Sequence, residues 1–486
     1  MKHTLKLAER YGGVSAIHLS HHLVHHADDV MTNPDRLAQV RKIVSLAKAQ
    51  RLDVWCWTHE MYRPPAACVT DGMLDLEHPD LQPHLEQKYA EFLQELLPGL
   101  EGLVLTFAET QFEVYKDKNV LSSYTGPEAA ANKTKQLVQW LLDSCSKHGA
   151  KLTVRDFVYR DHEIADMLKA IRSLPDEVGV MSKCVPHDWH PYYPDNPVLS
   201  QVRPKPQWIE FDLGHEYEMQ TVLPFAEPEL LLRRARHART LGIETFCLRL
   251  DRYDAYAGNS AVYTPWGQLE LQVFSRFAAN PDIKLDQIIA DWEKEHFEGA
   301  WEVVGLSTEI VRRMLFPQKL WLADHSNLPT FDYARKHLKD GNADRLPVWT
   351  GSPVDRLAEQ LCDRPTKEWV FQLRAEDEKT SFYMNRLSSM MNRGGRKLAE
   401  TWREALHALQ AWEELFRQYK AAYFGIRLLQ NDPDAVSVHE LRMIINILEQ
   451  SCADFKERFP NQMLSGRRAW ESHAKVIESL RNQLDA

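Results

Sequence analysis

The sequence predicts an α/β protein of TIM-barrel type, with parallel strands and outer helices over residues 1–282 and an all-helical domain over residues 283–486. Three observations carry the prediction. Short runs rich in β-branched and aromatic residues alternate with amphipathic segments, and such alternation calls for parallel strands joined by helical crossovers. From about residue 283 the pattern becomes helical only. Three of the strand-like runs lead directly into a carboxylate, which is where a barrel of this kind keeps its reactive groups.

The elements follow in order. Residues 4–12 read as a helix and Val14–Leu19 as a strand. Asp35–Gln50 is a helix, because Leu37, Val40, Ile43, Val44 and Ala47 recur at the 3.6 period. Strand Leu52–Trp57, helix Pro83–Leu97, strand Gly102–Phe107 and helix Pro127–His148 come next. Strand Lys151–Asp156, helix Asp161–Ser173, and strands Val178–Lys183 and Trp208–Leu213 continue the rhythm. Helix Pro228–Leu241, strand Thr245–Leu250 and helix Gly267–Ala278 complete it. The count is seven strands where a closed barrel has eight. Either the first strand is missing or the C-terminal half supplies cover.

In that half, Leu285–Phe297 is one helix. A long one is marked by Leu398, Trp402, Leu406, Leu409, Trp412, Phe416 and Tyr419. Val436–Phe455 and Arg467–Leu484 are two more, and Asp324–Arg364, with its Pro, Gly and Asp clusters, reads as a long irregular connection. A helical domain of this size offers the surface for a homodimer.

Composition narrows the function. Apolar residues at 44% and charged residues at 26% belong to a globular protein. A net charge of −10 argues against nucleic acid and against an anionic membrane as partner. No run of about 18 apolar residues occurs, and M-K-H-T-L-K-L-A-E-R lacks the apolar core of a signal peptide. Seven cysteines without a C-x-x-C fit reduced thiols in the cytoplasm. No glycine-rich phosphate loop and no nucleophile elbow is present, so no nucleotide cofactor is expected.

The carboxylates are the chemical signal. Gly102–Ala108 ends on Glu109, Val178–Lys183 leads through Cys184-Val185-Pro186-His187 to Asp188, and Trp208–Leu213 leads through Gly214-His215 to Glu216. Cleaving an acetal needs a proton for the leaving oxygen and a carboxylate that activates water on the other face. The apolar approach to Glu109 would keep that acid protonated by desolvation. Lys183, His187 and His190 near Asp188, and His215 near Glu216, would favour ionised bases. Arg155 and Lys183 sit on strands where a charge needs a partner. They either grip an anionic sugar or form internal salt bridges to Asp156, Asp188 or Glu216. Arg249, Asp251 and Arg252 end the last strand, as pocket residues or as an ion network that closes the barrel. Trp57 and His59, in W-C-W-T-H-E-M, would shape a sugar subsite, or Trp57 would be core. The run H-L-S-H-H-L-V-H-H (18–26) suggests metal, but it lacks the Glu of H-E-x-x-H and any nearby Cys, so rim histidines are the preferred reading and no metal is assigned.

The segment Pro98–Thr110, then V-R-D-F-V-Y (154–159), K-C-V-P-H-D-W (183–189) and E-F-D-L-G-H-E-Y (210–217), resembles the α-glucuronidases of glycoside hydrolase family 67. The run F-S-R-F-A-A-N-P-D-I-K-L-D-Q-I-I-A-D-W (274–292) resembles that family's entry to its helical C-terminal domain. The similarity spans roughly residues 5–300, in order. The resemblance implies that Glu109 is the general acid, that Asp188 and Glu216 are the pair activating water, and that Arg155 and Lys183 contact the uronic acid. Leu105 stands where the family has a lysine that helps hold the sugar carboxylate, A-E-T replaces S-E-G, and H-E-Y replaces Q-E-Y. The expectation is an inverting glycosidase without cofactor, acting on a short oligosaccharide, with a uronic acid among the candidate sugars. The alternatives are a catalytically lapsed carbohydrate-binding protein on the same fold and, behind it, a metal-dependent sugar isomerase or lyase.

Overall fold

A computed structural model describes residues 2–158, 160–250, 260–339, 345–392, 399–459 and 467–486. Seven parallel strands form the main sheet: β1 (Ala16–Leu19), β2 (Asp53–His59), β5 (Gly102–Thr106), β7 (Lys151–Arg155), β8 (Gly179–Lys183), β9 (Gln207–Asp212) and β10 (Thr245–Arg249), neighbours in that order. The sheet curls into a nearly closed barrel, and Cys247 Sγ on β10 comes to 3.8 Å from His18 Nδ1 on β1. Seven strands is the number legible in the sequence. A small second sheet was not: β3 (Val69–Thr70), β4 (Met73–Asp75) and β6 (Val120–Leu121) lie in the loops after β2 and β5.

Alternation along each strand sorts side chains into two cores. Trp55, Trp57, Val104 and Met181 fill the lumen, with Ala16, Trp208 and Cys247 against them. Trp55 and Trp208 meet edge to face at 4.5 Å. The intervening positions, Leu103, Leu105, Leu152, Val154 and Val180, pack outward on helical residues such as Leu137, Leu141, Met167 and Ile171. Two lumen positions are glycine because indole and hydroxyl occupy the space. A Cβ on Gly102 would meet the Trp55 ring at 2.4 Å, and one on Gly179 would meet Thr153 Oγ1 at 2.5 Å.

The chain forms two compact units. One is Met1–His187, Asp195–Phe211 and Arg233–Leu248; the other is Asp188–Pro194, Asp212–Leu232 and Arg249–Ala486. The second contains the C-terminal helices, including Leu285–Glu295, Glu400–Asn431, Val438–Arg458 and Arg467–Asp485. Leu398, expected in the longest of these, and Asp251 and Arg252, expected after the last strand, lie outside the described residues.

The irregular connection expected over Asp324–Arg364 is instead largely helical, with Phe331–Lys339, Leu346–Thr350 and Pro353–Asp363. Pro347 and Pro353 open helices here, because the first turn needs no amide hydrogen. Gly351 closes one in the left-handed region, at φ 63°. Helices Ala300–Leu315 and Lys367–Asn392 also go beyond the sequence reading. In the latter, exposed Phe371 and Phe382 interrupt the period of buried Trp369, Leu373 and Leu387. Among the described residues no helix is long and apolar enough to cross a membrane.

Substituting Gly102→Ala should destabilise the barrel by about 1–3 kcal/mol, because neither the indole nor the Lys151 carbonyl can yield. The denaturation midpoint measures this; an unchanged midpoint would mean that Trp55 does not fill the lumen at that level.

Candidate active site

In the first unit, charge enters the lumen near the C-terminal ends of the strands. Arg155 donates from Nε and Nη2 to Glu210 Oε2 at 3.0 and 2.9 Å. Both side chains are buried, 4% and 0% exposed. The guanidinium lies 5.1 Å from the Trp57 ring centre and 5.2 Å from that of Phe157. Arg155 therefore has an internal partner in Glu210, an acid not among those the sequence suggested. Lys183 Nζ sits 4.4 Å over the Phe157 ring. Asp156 turns the other way, accepts from Ser182 Oγ at 2.5 Å, and is pushed by burial up to about 7.

Trp57 is buried and belongs to an aromatic stack at the rim. His18 stacks on it at 4.8 Å, and His59 lies nearly parallel at 5.8 Å. His25 stacks on His59 at 3.7 Å, and His59 Nδ1 contacts the His25 carbonyl at 2.7 Å. Burial holds His59 well below the usual imidazole range and lowers His25 as well. The histidine run is thus rim and core in part, with His26 turned into the carboxylates of Asp28 and Asp29 at 3.3 and 3.6 Å. Among the described residues no cluster of three His, Cys, Asp or Glu side chains could hold a metal ion.

Glu109 follows β5 directly, with its backbone in the left-handed region at φ 57°. Its N–H donates to Glu113 Oε1 at 3.1 Å. The approach Leu103–Ala108 is buried as expected, but the Glu109 side chain is exposed. Burial therefore does not supply the desolvation expected for it. Leu105 faces the outer core, so its strand position does not turn towards the lumen.

In the second unit the two other carboxylates share one set of neighbours. Asp212 ends β9 and accepts from the N–H groups of Gly214 and Glu216, at 3.0 and 2.9 Å. This Asx-type turn, with His215 at φ 50°, holds the loop that carries Glu216. Tyr217 Oη donates to Asp188 Oδ2 at 3.0 Å. The Tyr217 ring packs against Trp321 and His325 at 4.1 and 5.1 Å. Ser326 Oγ donates to the Glu216 carbonyl at 3.1 Å and accepts from Met219 N–H at 3.0 Å. Burial works against a charge on His325, but Asp324, Glu216 and Asp188 outweigh it and raise the imidazole to about 9.

The histidines expected beside this pair make contacts of their own. His215 turns away into Glu270, at 2.7 Å. Burial opposes its charge, yet Glu270, Glu218 and Asp212 raise it to about 9. It forms a buried ion pair with Glu270. His187 packs on Phe157 at 5.3 Å, and His190 stacks on Tyr193 at 4.5 Å. Of the expected site residues, Asp188 is thus tied by Tyr217 to the loop that carries Glu216, and His325 is influenced by both carboxylates. Glu109, Arg155, Lys183, Trp57 and His59 belong to the other unit, and Arg249 ends β10, where its carbonyl accepts from Leu213 N–H at 2.9 Å.

Glu210, Tyr217, Trp321 and His325 were not singled out from sequence. Strand alternation could have found Glu210, since it lies two residues from both Trp208 and Asp212 on one face of β9. His325 had no such signal, because it sits in the segment read as irregular.

No family model and no curated protein matches this sequence. Among solved structures, a GH138 enzyme targeting pectin rhamnogalacturonan II is similar over 93% of this chain at 12% identity, with a TM-score of 0.56. The chain spans 58% of that enzyme's length. An Asp-to-Asn mutant of the Thermobaculum terrenum O-GlcNAc hydrolase matches 99% of this chain and 89% of its own at 13% identity, with a TM-score of 0.41. The first of these likenesses is one of fold.

His215, at about 9, lies above the ordinary imidazole value of about 6.5. Its ion pair therefore contributes fully below about pH 6.5 and is lost as the pH rises through about 9. The melting temperature should fall between pH 7 and 9.5, with a shallower slope in Glu270→Gln. Equal slopes in the two proteins would remove the pair from the account.

Proposed function

We propose that this chain is a glycoside hydrolase that cleaves a short oligosaccharide by single displacement with inversion. The observation that carries the reading is the Tyr217 hydrogen bond to Asp188, which ties the loop after β8 to the loop that carries Glu216 beyond β9. Active groups of parallel barrels occupy such strand ends. The fold likeness to a GH138 enzyme targeting pectin rhamnogalacturonan II supports the same class.

In this reading Glu109 protonates the leaving oxygen, and its exposure lets it reach solvent or substrate. Asp188 and Glu216 share the task of activating water. Tyr217 orients the Asp188 carboxylate, and imidazolium at His325 balances the negative charge of the pair. Trp57 and His59, both buried, back the sugar subsite from behind its rim rather than stack on the ring. An α-glucuronidase-like specificity would rest on Lys183, since the Arg155 fork is engaged by Glu210 and Leu105 offers no charge.

Glu109→Gln should lower hydrolysis of substrates with poor leaving groups by about 10²–10⁴-fold while sugar binding persists. An aryl-glycoside and oligosaccharide screen, read by proton NMR for the first anomer released, tests class and stereochemistry together. Retention of configuration would overturn the inverting mechanism. Binding without turnover in the wild type would make the chain a lapsed carbohydrate-binding protein.

Arg155→Ala should lower the melting temperature markedly, since removing one member of a buried pair costs about 3–5 kcal/mol. Turnover of uronic and neutral substrates should fall equally. A KM rise confined to the anionic substrate would return Arg155 to the sugar.

A further inference from the structure

We propose that a cavity in the helical part of the second unit is a separate binding site for a neutral saccharide. It has a volume of about 530 Å³ and is lined by Trp301, Gly305, Glu227, Glu309, Arg312 and Tyr383. That volume falls within the range of small-ligand sites.

Trp301 and Tyr383, both half-buried, provide apolar faces of the kind on which a pyranose stacks. Tyr383 is held from behind by the Arg313 guanidinium, 5.2 Å from its ring centre. The backbone N–H of Trp301, at the start of its helix, donates to Glu293 Oε1 at 2.9 Å. Polar groups sit beside these faces. Arg312 pairs through Nη2 with the buried carboxylate of Glu227, and through Nη1 with Glu309 at 3.1 Å. The Arg312 guanidinium beside the carboxylates of Glu227 and Glu309 offers the mix of donors and acceptors that sugar hydroxyls demand. The balance of charges in the lining disfavours an anionic ligand.

Gly305 adds an independent observation. It lies in the interior of helix Ala300–Leu315, where glycine is unfavourable. Its Cβ would meet nothing within 4 Å, so no neighbour in the fold requires the glycine. A side chain there would project into open space at the wall of the cavity. The missing side chain keeps the cavity open.

The test uses the full chain and a panel of neutral xylo-, cello-, galacto- and manno-tetrasaccharides, read by isothermal titration with turnover measured alongside. Wild type should bind at least one of them. Gly305→Leu and Trp301→Ala should each weaken that binding about tenfold or more without changing turnover. Gly305→Ala should raise the melting temperature, which shows that the helix accepts a side chain there. Absence of binding by the wild type, or affinities untouched in both Gly305→Leu and Trp301→Ala, would overturn the proposal. Neither outcome bears on the barrel's activity, which the turnover measurement reads separately.

Discussion

A guanidinium inside a barrel of strands has to be answered by a carboxylate, and this fold is built around that requirement. Arg155 and Glu210 stand on β7 and β9, one strand apart, and both point into a lumen otherwise filled by Trp55, Trp57, Val104 and Met181. Removing Glu210 would take the fork's carboxylate from a buried positive charge, and the faces of Trp57 and Phe157 replace only a small part of its hydration. The pair therefore ties three strands and the rim aromatic to one geometry. Trp57 gains its position from the same arrangement, between Arg155 and His18.

The loops after β8 and β9 depend on a second kind of constraint. A loop carrying Glu216 has to leave the strand without stranding its amides. Asp212 meets this by accepting two of them. His215 then turns into Glu270, and the following residues are stitched by Ser326 to a segment more than one hundred residues later in the chain. Negative charge gathers here: Asp188, Asp212, Glu216, Glu218, Glu270 and Asp324. Two imidazoles, His215 and His325, are held protonated to near pH 9 in answer. One supports the loop from behind, and the other faces the carboxylate pair proposed for catalysis. The same residue type thus serves scaffold and site, and only its partners tell the two apart.

The order of strands, their number and the three carboxylates beyond their ends were legible in the sequence. They depend on local pattern: runs of β-formers, helical periodicity and the residue that follows each strand. Proline and glycine misled over Asp324–Arg364, because the same residues that break a helix in its interior begin and end one at its caps. Exposed phenylalanines hid the period of Lys367–Asn392 for a similar reason, since periodicity reports burial only when the apolar residues are the buried ones.

What the sequence determined by itself is the parity of each strand. Once β5 is placed, Leu105 must face the helices and Val104 the lumen, since successive side chains alternate. Tertiary structure alone decided the partners. That Arg155 meets Glu210, that His215 meets Glu270, and that Asp188 meets Tyr217 are facts of three-dimensional proximity between residues 29 to 55 positions apart. No spacing rule reaches across a strand, a loop and a helix, because the pairing depends on how the barrel curls and how each loop is anchored.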